Sequence, residues 1–266
     1  MLSVATVFRW LLMSALGALA ATACVHNKET TVEADERPRK KRNKKRAAPA
    51  VSATAAASVP SRPPPPPPPP AVPADAPHPG LRDPTHAGMR APDTFVVRFD
   101  TTKGPLVMRC DRSWAPHGAD RFYSLVKIGF FRDMALFRMV TGFVVQFGIH
   151  GDPAISAAWK DAELPVDPVV SSNTRGRVTF AMAGAPTTRT TQLYINLGDN
   201  ARLDAMGFSP VCEVTEGMDV ADRFFDGHGE RVSSKQGDIQ REGNAFLRKN
   251  FPGLDFIVSA AVIGEP

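Results

Sequence analysis

FRMVTGFVVQFG, residues 137–148, sets one Arg and one Gln among large apolar side chains around a Thr-Gly turn. Strand side chains alternate between faces. Val145 and Phe147 therefore fall on one face, Val144 and Gln146 on the other, and Arg138 and Phe143 flank the turn at Thr141 and Gly142. The stretch holds no nucleophile, acid or metal ligand, so the chemistry it supports is binding and twisting.

The residues on either side continue the β pattern. Phe95, Val97 and Phe99 alternate with Val96 and Arg98, and the segment from Thr101 to Gly104 turns the chain into Leu106, Met108 and Cys110, which predicts a hairpin. Pro116 suits a first helical turn, with Phe122, Leu125 and Val126 at helical spacing until Gly129. Strands are expected from Met134 to Met139 and from Phe143 to Gly148, then a Pro- and Asp-rich loop to Arg177. Further strands are expected from Arg177 to Met182, Gln192 to Leu197, Val211 to Val214 and Phe256 to Ile263. A second helix is expected from Met218 to Phe225, and the polar segment 227–253 is given at most one helical turn, near Ala245 to Lys249. Eight strands and two helices predict a mainly β fold, a closed eight-stranded antiparallel β-barrel capped by two α-helices. Periodicity alone does not separate this from a lipocalin-like barrel or a sandwich.

The N-terminal third cannot build a core. Of 25 Pro in 266 residues, eight form the unbroken run from Pro63 to Pro70, a stiff rod of about 25 Å at ~3.1 Å per residue. Residues 1–24 read as a signal peptide: Arg9, an apolar stretch from Trp10 to Ala23, and Ala-Thr-Ala-Cys, similar to a bacterial lipobox with Cys24 as the lipidation site. Fourteen apolar residues fall short of the ~20 that a spanning helix needs. Residues 25–92 read as a disordered basic and Pro/Ala-rich linker. Its block from Arg37 to Arg46 carries eight basic residues, and removing them turns the net charge from +5 to −3. That block is expected to lie in solvent or on anionic lipid or wall polymer. Nothing in the rest suggests nucleic-acid binding.

Cys110 and Cys212 have no metal-ligand spacing; they would pair only if their backbones lie within bonding reach, and two separate buried thiols are expected. His150 beside Asp152 reads as a loop residue. No GxSxG, phosphate loop or paired-carboxylate pattern occurs. No metal and no cofactor are expected.

The ordered motifs FFRDMALFRMVTGFVVQFGIHGDP, VTFAMAGAPTTRTTQLYINLGDN and LDAMGFSPVCEVTEGMDV resemble those of bacterial cyclophilin-type peptidyl-prolyl isomerases. The likeness runs from about Asp93 to Val262, so residues 93–266 are expected to form a cyclophilin-like isomerase domain. By position, the resemblance implies a catalytic role for Arg138 and substrate-binding roles for Phe143, Val144, Gln146, Ala183, Gln192, Tyr194, Leu203 and Phe208. Thr141 replaces the family's Pro, Phe208 stands near its His, and Val144 is smaller than its common Met. Arg202 holds the position of a Trp in cyclosporin-sensitive members, which implies weak cyclosporin binding. Tyr194 in place of Phe puts a hydroxyl at the pocket wall, with altered preference around proline expected.

The implied activity is cis-trans isomerisation of X-Pro bonds in exported, unfolded proteins of the cell envelope (periplasm), with membrane anchoring through Cys24. Twisting the bond makes the prolyl nitrogen basic, and a guanidinium that bonds it only then stabilises the transition state selectively. Arg stays charged and its fork is rigid. Two other readings are a non-catalytic proline-peptide-binding or scaffolding module and a lipid-carrying barrel with a wide lumen.

Overall fold

The computed structural model describes residues 77–265. The expected signal segment with Cys24, the Arg37 to Arg46 block, the proline rod and most of the linker lie outside the described residues. Nine strands form one antiparallel sheet: β1 (Thr94–Thr101), β2 (Gly104–Asp111), β3 (Met134–Ala135), β4 (Arg138–Val140), β5 (Val144–Phe147), β6 (Arg177–Phe180), β7 (Leu193–Asn196), β8 (Pro210–Glu216) and β9 (Phe256–Gly264). Their order is β3-β9-β1-β2-β8-β6-β7-β5-β4. The hairpin expected at the start is β1 and β2, in register from Thr94 opposite Asp111 to Thr101 opposite Gly104.

The sheet is open and nine-stranded, where a closed eight-stranded barrel was expected. The segment read as one strand from Met134 to Met139 divides, β3 pairing with β9 and β4 with β5 at opposite ends of the sheet. Between them Leu136 donates its N–H to the Asp255 carbonyl at 2.9 Å, while Phe137 packs with Ile149, Val232, Ile239 and Leu247. Two residues of continuous chain thus span the seam that a closed barrel would bridge with hydrogen bonds. Inside, Phe99 lies 5.2 Å from Phe131 and 5.7 Å from Phe147 between ring centres, and all three are buried. This packed aromatic interior removes the lipid-carrying reading.

The first helix, α1 (Pro116–Lys127), forms as expected and buries Phe122, Leu125 and Val126. Ala115 at its N-cap offers no side chain, and the buried Asp167 accepts from the His117 and Gly118 N–H groups instead, both at 2.9 Å. The loop expected after Gly148 contains a short helix, α2 (Pro153–Trp159), capped by the Asp152 carboxylate on the Ala154 N–H. The helix expected from Met218 to Phe225 is only the single turn α3 (Met218–Ala221). The second helical segment is α4 (Gln236–Asn250), two short helices joined by a kink at Gly243, inside the segment given one turn from sequence. Its glycines hide it, because Gly lowers helix propensity. Gly243 is needed there: its φ is +63°, and a Cβ would meet the Gly151 carbonyl oxygen at 2.0 Å. Among the described residues no helix is long and apolar enough to cross a membrane.

Two further expectations are corrected. Residues 77–92, read as linker, pack on the domain: Gly80, Ala87 and Ala91 are buried, and the Trp159 indole N–H bonds the Gly80 and Leu81 carbonyls at 3.1 Å. The folded region therefore reaches back at least to residue 77, because small residues and short helical turns can fill a groove that composition reads as disorder. Cys110 and Cys212 form a disulfide and are not separate thiols. The β2–β8 register sets them directly opposite each other, which 102 residues of sequence separation conceal.

Candidate active site

The site is a consequence of register. Arg138 on β4 stands opposite Gln146 on β5, Gln146 opposite Tyr194 on β7, and Tyr194 opposite Thr179 on β6. Directly opposed residues project to the same face. One row of side chains therefore crosses four strands, and at one end of it lies a cavity of about 330 Å³.

Seven residues singled out from sequence line this cavity together: Arg138, Phe143, Val144, Gln146, Tyr194, Leu203 and Phe208. Val144, Leu203 and Phe208 are buried with Tyr194, whose ring meets that of Phe208 edge-on at 5.8 Å. Phe143 is half-buried at the rim, with the Arg202 guanidinium over its ring at 4.8 Å and that of Arg138 at 5.6 Å. Ala183 and Gln192 are not among the lining residues. The Ala183 N–H donates to Thr188 Oγ1 at 2.7 Å, and its neighbours Met182 and Gly184 face the cavity in its place. Gln192 stands behind Gln146, accepting from Gln146 Nε2 at 2.9 Å. Sequence reading also missed Met206, although Met182, Gly184 and Met206 all lie within the motifs already quoted.

Arg138 is 8% exposed and tied on two sides. Its Nη1 donates to Gln146 Oε1 at 3.1 Å; its Nε and Nη2 donate to the two carboxylate oxygens of Glu230 at 2.9 and 2.6 Å. Burial pushes the Glu230 carboxyl up, but hydrogen bonds from Arg138 and Ser233, with the Arg138 charge, outweigh it and hold the group below its ordinary value. Glu230 lies in a polar run that carried no periodic signal, so sequence reading missed it. Thr141, where the family has Pro, donates to Asp226 Oδ2 at 2.9 Å.

Behind the cavity sits Asn173, fully buried and also unforeseen. Its Nδ2 donates to Asp204 Oδ1 and to the Phe208 carbonyl, both at 2.8 Å; its Oδ1 accepts from Thr179 Oγ1 at 2.9 Å and the Tyr194 hydroxyl at 3.1 Å. One amide thus holds two walls of the pocket. His150 is a half-buried loop residue whose Nδ1 accepts the Asp152 N–H at 2.9 Å, and burial pushes its pKa down. Among the described residues no three His, Cys, Asp or Glu side chains converge as metal ligands would.

The cavity is mostly apolar, with the hydrogen-bonded Arg138–Gln146 pair among its lining residues. Residues 96–242 match the family described as cyclophilin type peptidyl-prolyl cis-trans isomerase/CLD, and the chain belongs to that family. It is 29% identical over 180 residues to peptidyl-prolyl cis-trans isomerase B of Escherichia coli, covering 64% of this chain and 100% of the relative. It is 29% identical to peptidyl-prolyl cis-trans isomerase A of Dickeya dadantii, covering 53% of this chain and 76% of the relative. The solved cyclophilin AquaCyp293 of Hirschia baltica superposes with a TM-score of 0.47 at 17% identity, over 66% of this chain and 77% of that one. The protein is a peptidyl-prolyl isomerase.

Proposed function

We propose that the cavity holds the proline ring and that Arg138 donates a hydrogen bond to the prolyl nitrogen as the X-Pro bond twists. The carrying observation is the Arg138–Gln146 pair at the edge of an apolar cavity, linked by a 3.1 Å hydrogen bond. Uncatalysed rotation has an activation energy near ~20 kcal/mol, because the amide nitrogen shares its lone pair with the carbonyl. In the planar state that nitrogen is a poor acceptor; twisted, it is pyramidal and basic. A charge-assisted hydrogen bond made only then contributes roughly 1.5–3 kcal/mol, or about one to two decades of rate. Gln146 holds a peptide carbonyl on one side of the bond. Val144, Tyr194, Leu203 and Phe208 exclude water and fix the ring, so one half of the bond is held while the other rotates.

Arg138→Ala in the full chain should slow isomerisation of a Pro-containing peptide by roughly tenfold or more, with the fold intact. The measurement is a protease-free assay that follows the cis and trans populations directly. An unchanged rate removes Arg138 from the mechanism, and peptide binding by the wild type without acceleration makes the domain a binding module.

The proposed setting is the cell envelope, with exported unfolded proteins as substrates, lipidation at Cys24 and contact between the Arg37 to Arg46 block and anionic lipid or wall polymer. The Cys110–Cys212 disulfide supports an oxidising compartment, where such bonds form and persist. Acyl labelling and intact mass of the mature N-terminus test the anchor. A thioether-linked acyl group on an N-terminal Cys24 is expected; a mature terminus elsewhere overturns it.

A further inference from the structure

The polar run after α3 reaches back to the catalytic strands at three points. Asp226 accepts from Thr141 at the β4–β5 turn, Glu230 accepts two hydrogen bonds from Arg138, and Gln236 Oε1 accepts from Gln192 Nε2 at 3.1 Å. With the Arg138–Gln146 and Gln146–Gln192 bonds, these make one chain: Glu230, Arg138, Gln146, Gln192, Gln236. Both ends of that chain come from residues 230–236, and its middle comes from the strand pair and from Gln192, the residue before β7.

We propose that Glu230 is the positioning residue for Arg138, and that residues 226–236 form a brace setting the guanidinium for the twisted bond. The inference rests on the isomerase reading above and adds a residue that the family resemblance did not supply. A guanidinium carries five N–H donors in a fixed planar fork. Glu230 takes Nε–H and one Nη2 hydrogen, and Gln146 takes one Nη1 hydrogen. Among the described residues this leaves one N–H on each terminal nitrogen, in a side chain that lines the cavity. The carboxylate occupies the Nε–Nη2 edge of the fork. An unpaired Arg would have to order several torsions at each turnover, and fixing them beforehand lowers that cost.

The brace is itself fixed. Val232, two residues from Glu230, is 0% exposed and packs with Phe137, the neighbour of Arg138. Ser233 Oγ, with one hydrogen to share, lies 2.7 Å from Glu230 Oε2 and 2.9 Å from the Glu230 carbonyl oxygen. The kink of α4, which follows the segment beginning at Gln236, is anchored by the Asn244 N–H on the Gly151 carbonyl at 3.0 Å and by Asn244 Nδ2 on the Asp133 carbonyl at 2.7 Å.

The test is a double-mutant cycle on the full chain, with wild type, Glu230→Gln, Arg138→Ala and the double variant compared for kcat and KM. Gln keeps the shape but replaces one acceptor oxygen by a donor and removes the charge. Glu230→Gln should lower kcat roughly tenfold with KM nearly unchanged, since misplacement of a catalytic group acts on the chemical step. In the Arg138→Ala background the same change should have no further effect, because its partner is gone. Glu230→Asp, which keeps the charge, should recover part of the loss. An equal loss from Glu230→Gln in both backgrounds makes the role structural and overturns the proposal. A faster Glu230→Gln enzyme also overturns it, since Glu230 would then be damping the charge. An inactive wild type would instead overturn the isomerase reading itself.

Discussion

The Tyr194 hydroxyl donates to Asn173 Oδ1 at 3.1 Å, so the polar atom of this pocket-wall ring is engaged by a buried amide. Burial pushes the phenol pKa up, which keeps it a donor. Sequence comparison had suggested that the hydroxyl would alter the preferred residues around proline. The geometry gives it a structural task. Tyr194→Phe should therefore leave the ranking of peptides unchanged, with rates within about twofold, and destabilise the domain by about 1 kcal/mol, the net value of a typical hydrogen bond. Isomerisation rates across an X-Pro peptide series, with a urea midpoint, check both halves.

Asn173 carries a stronger prediction, because both of its ends are used. Asn173→Asp keeps the shape and turns two donations, to Asp204 Oδ1 and the Phe208 carbonyl, into repulsions. An uncompensated buried charge costs about 3–5 kcal/mol. The variant should be destabilised by that order at neutral pH and partly recover in acid, as the new carboxyl protonates. Urea unfolding at two pH values measures it.

Removing the disulfide should separate stability from catalysis. Cys110 and Cys212 are fully buried across β2 and β8, and neither lines the cavity. The paired Cys110→Ala and Cys212→Ala variant should lose about 2–5 kcal/mol, since the bond closes a long loop in the unfolded chain. Its kcat below the new melting temperature should match the wild type.

The parts of this molecule that sequence made legible are those in which period and position coincide. In β1 and β2 alternation marks the buried face, and the row Arg138, Gln146, Tyr194 follows from the register of β4, β5 and β7. Legibility failed where a residue works through partners distant in sequence. Asn173 stands in a loop with no period, and its value lies in atoms contributed by residues 179, 194, 204 and 208. Glu230 is 92 residues from Arg138, in a run whose glycines and charges resemble a solvated loop. The kinked α4 is obscured by the same composition, because Gly243 at its kink is selected by a positive φ and a close backbone approach that propensity cannot register.

The Glu230–Arg138 pair also fixes a pH response. The Glu230 carboxyl is held below its ordinary value of 4.5, so the folded state binds its proton less readily than the unfolded chain does. The pair's contribution is therefore complete above the ordinary carboxylate range and is lost as pH falls through the depressed folded value. With a peptide that lacks ionisable groups, kcat should be flat through neutral pH and fall only in acid. The acid limb thus reports the loss of the carboxylate partner of Arg138. Glu230→Gln has nothing to titrate at that position and should give a lower plateau without the limb while the protein stays folded. Circular dichroism at each pH separates this from acid unfolding, and a limb that persists in Glu230→Gln assigns the response to another carboxylate.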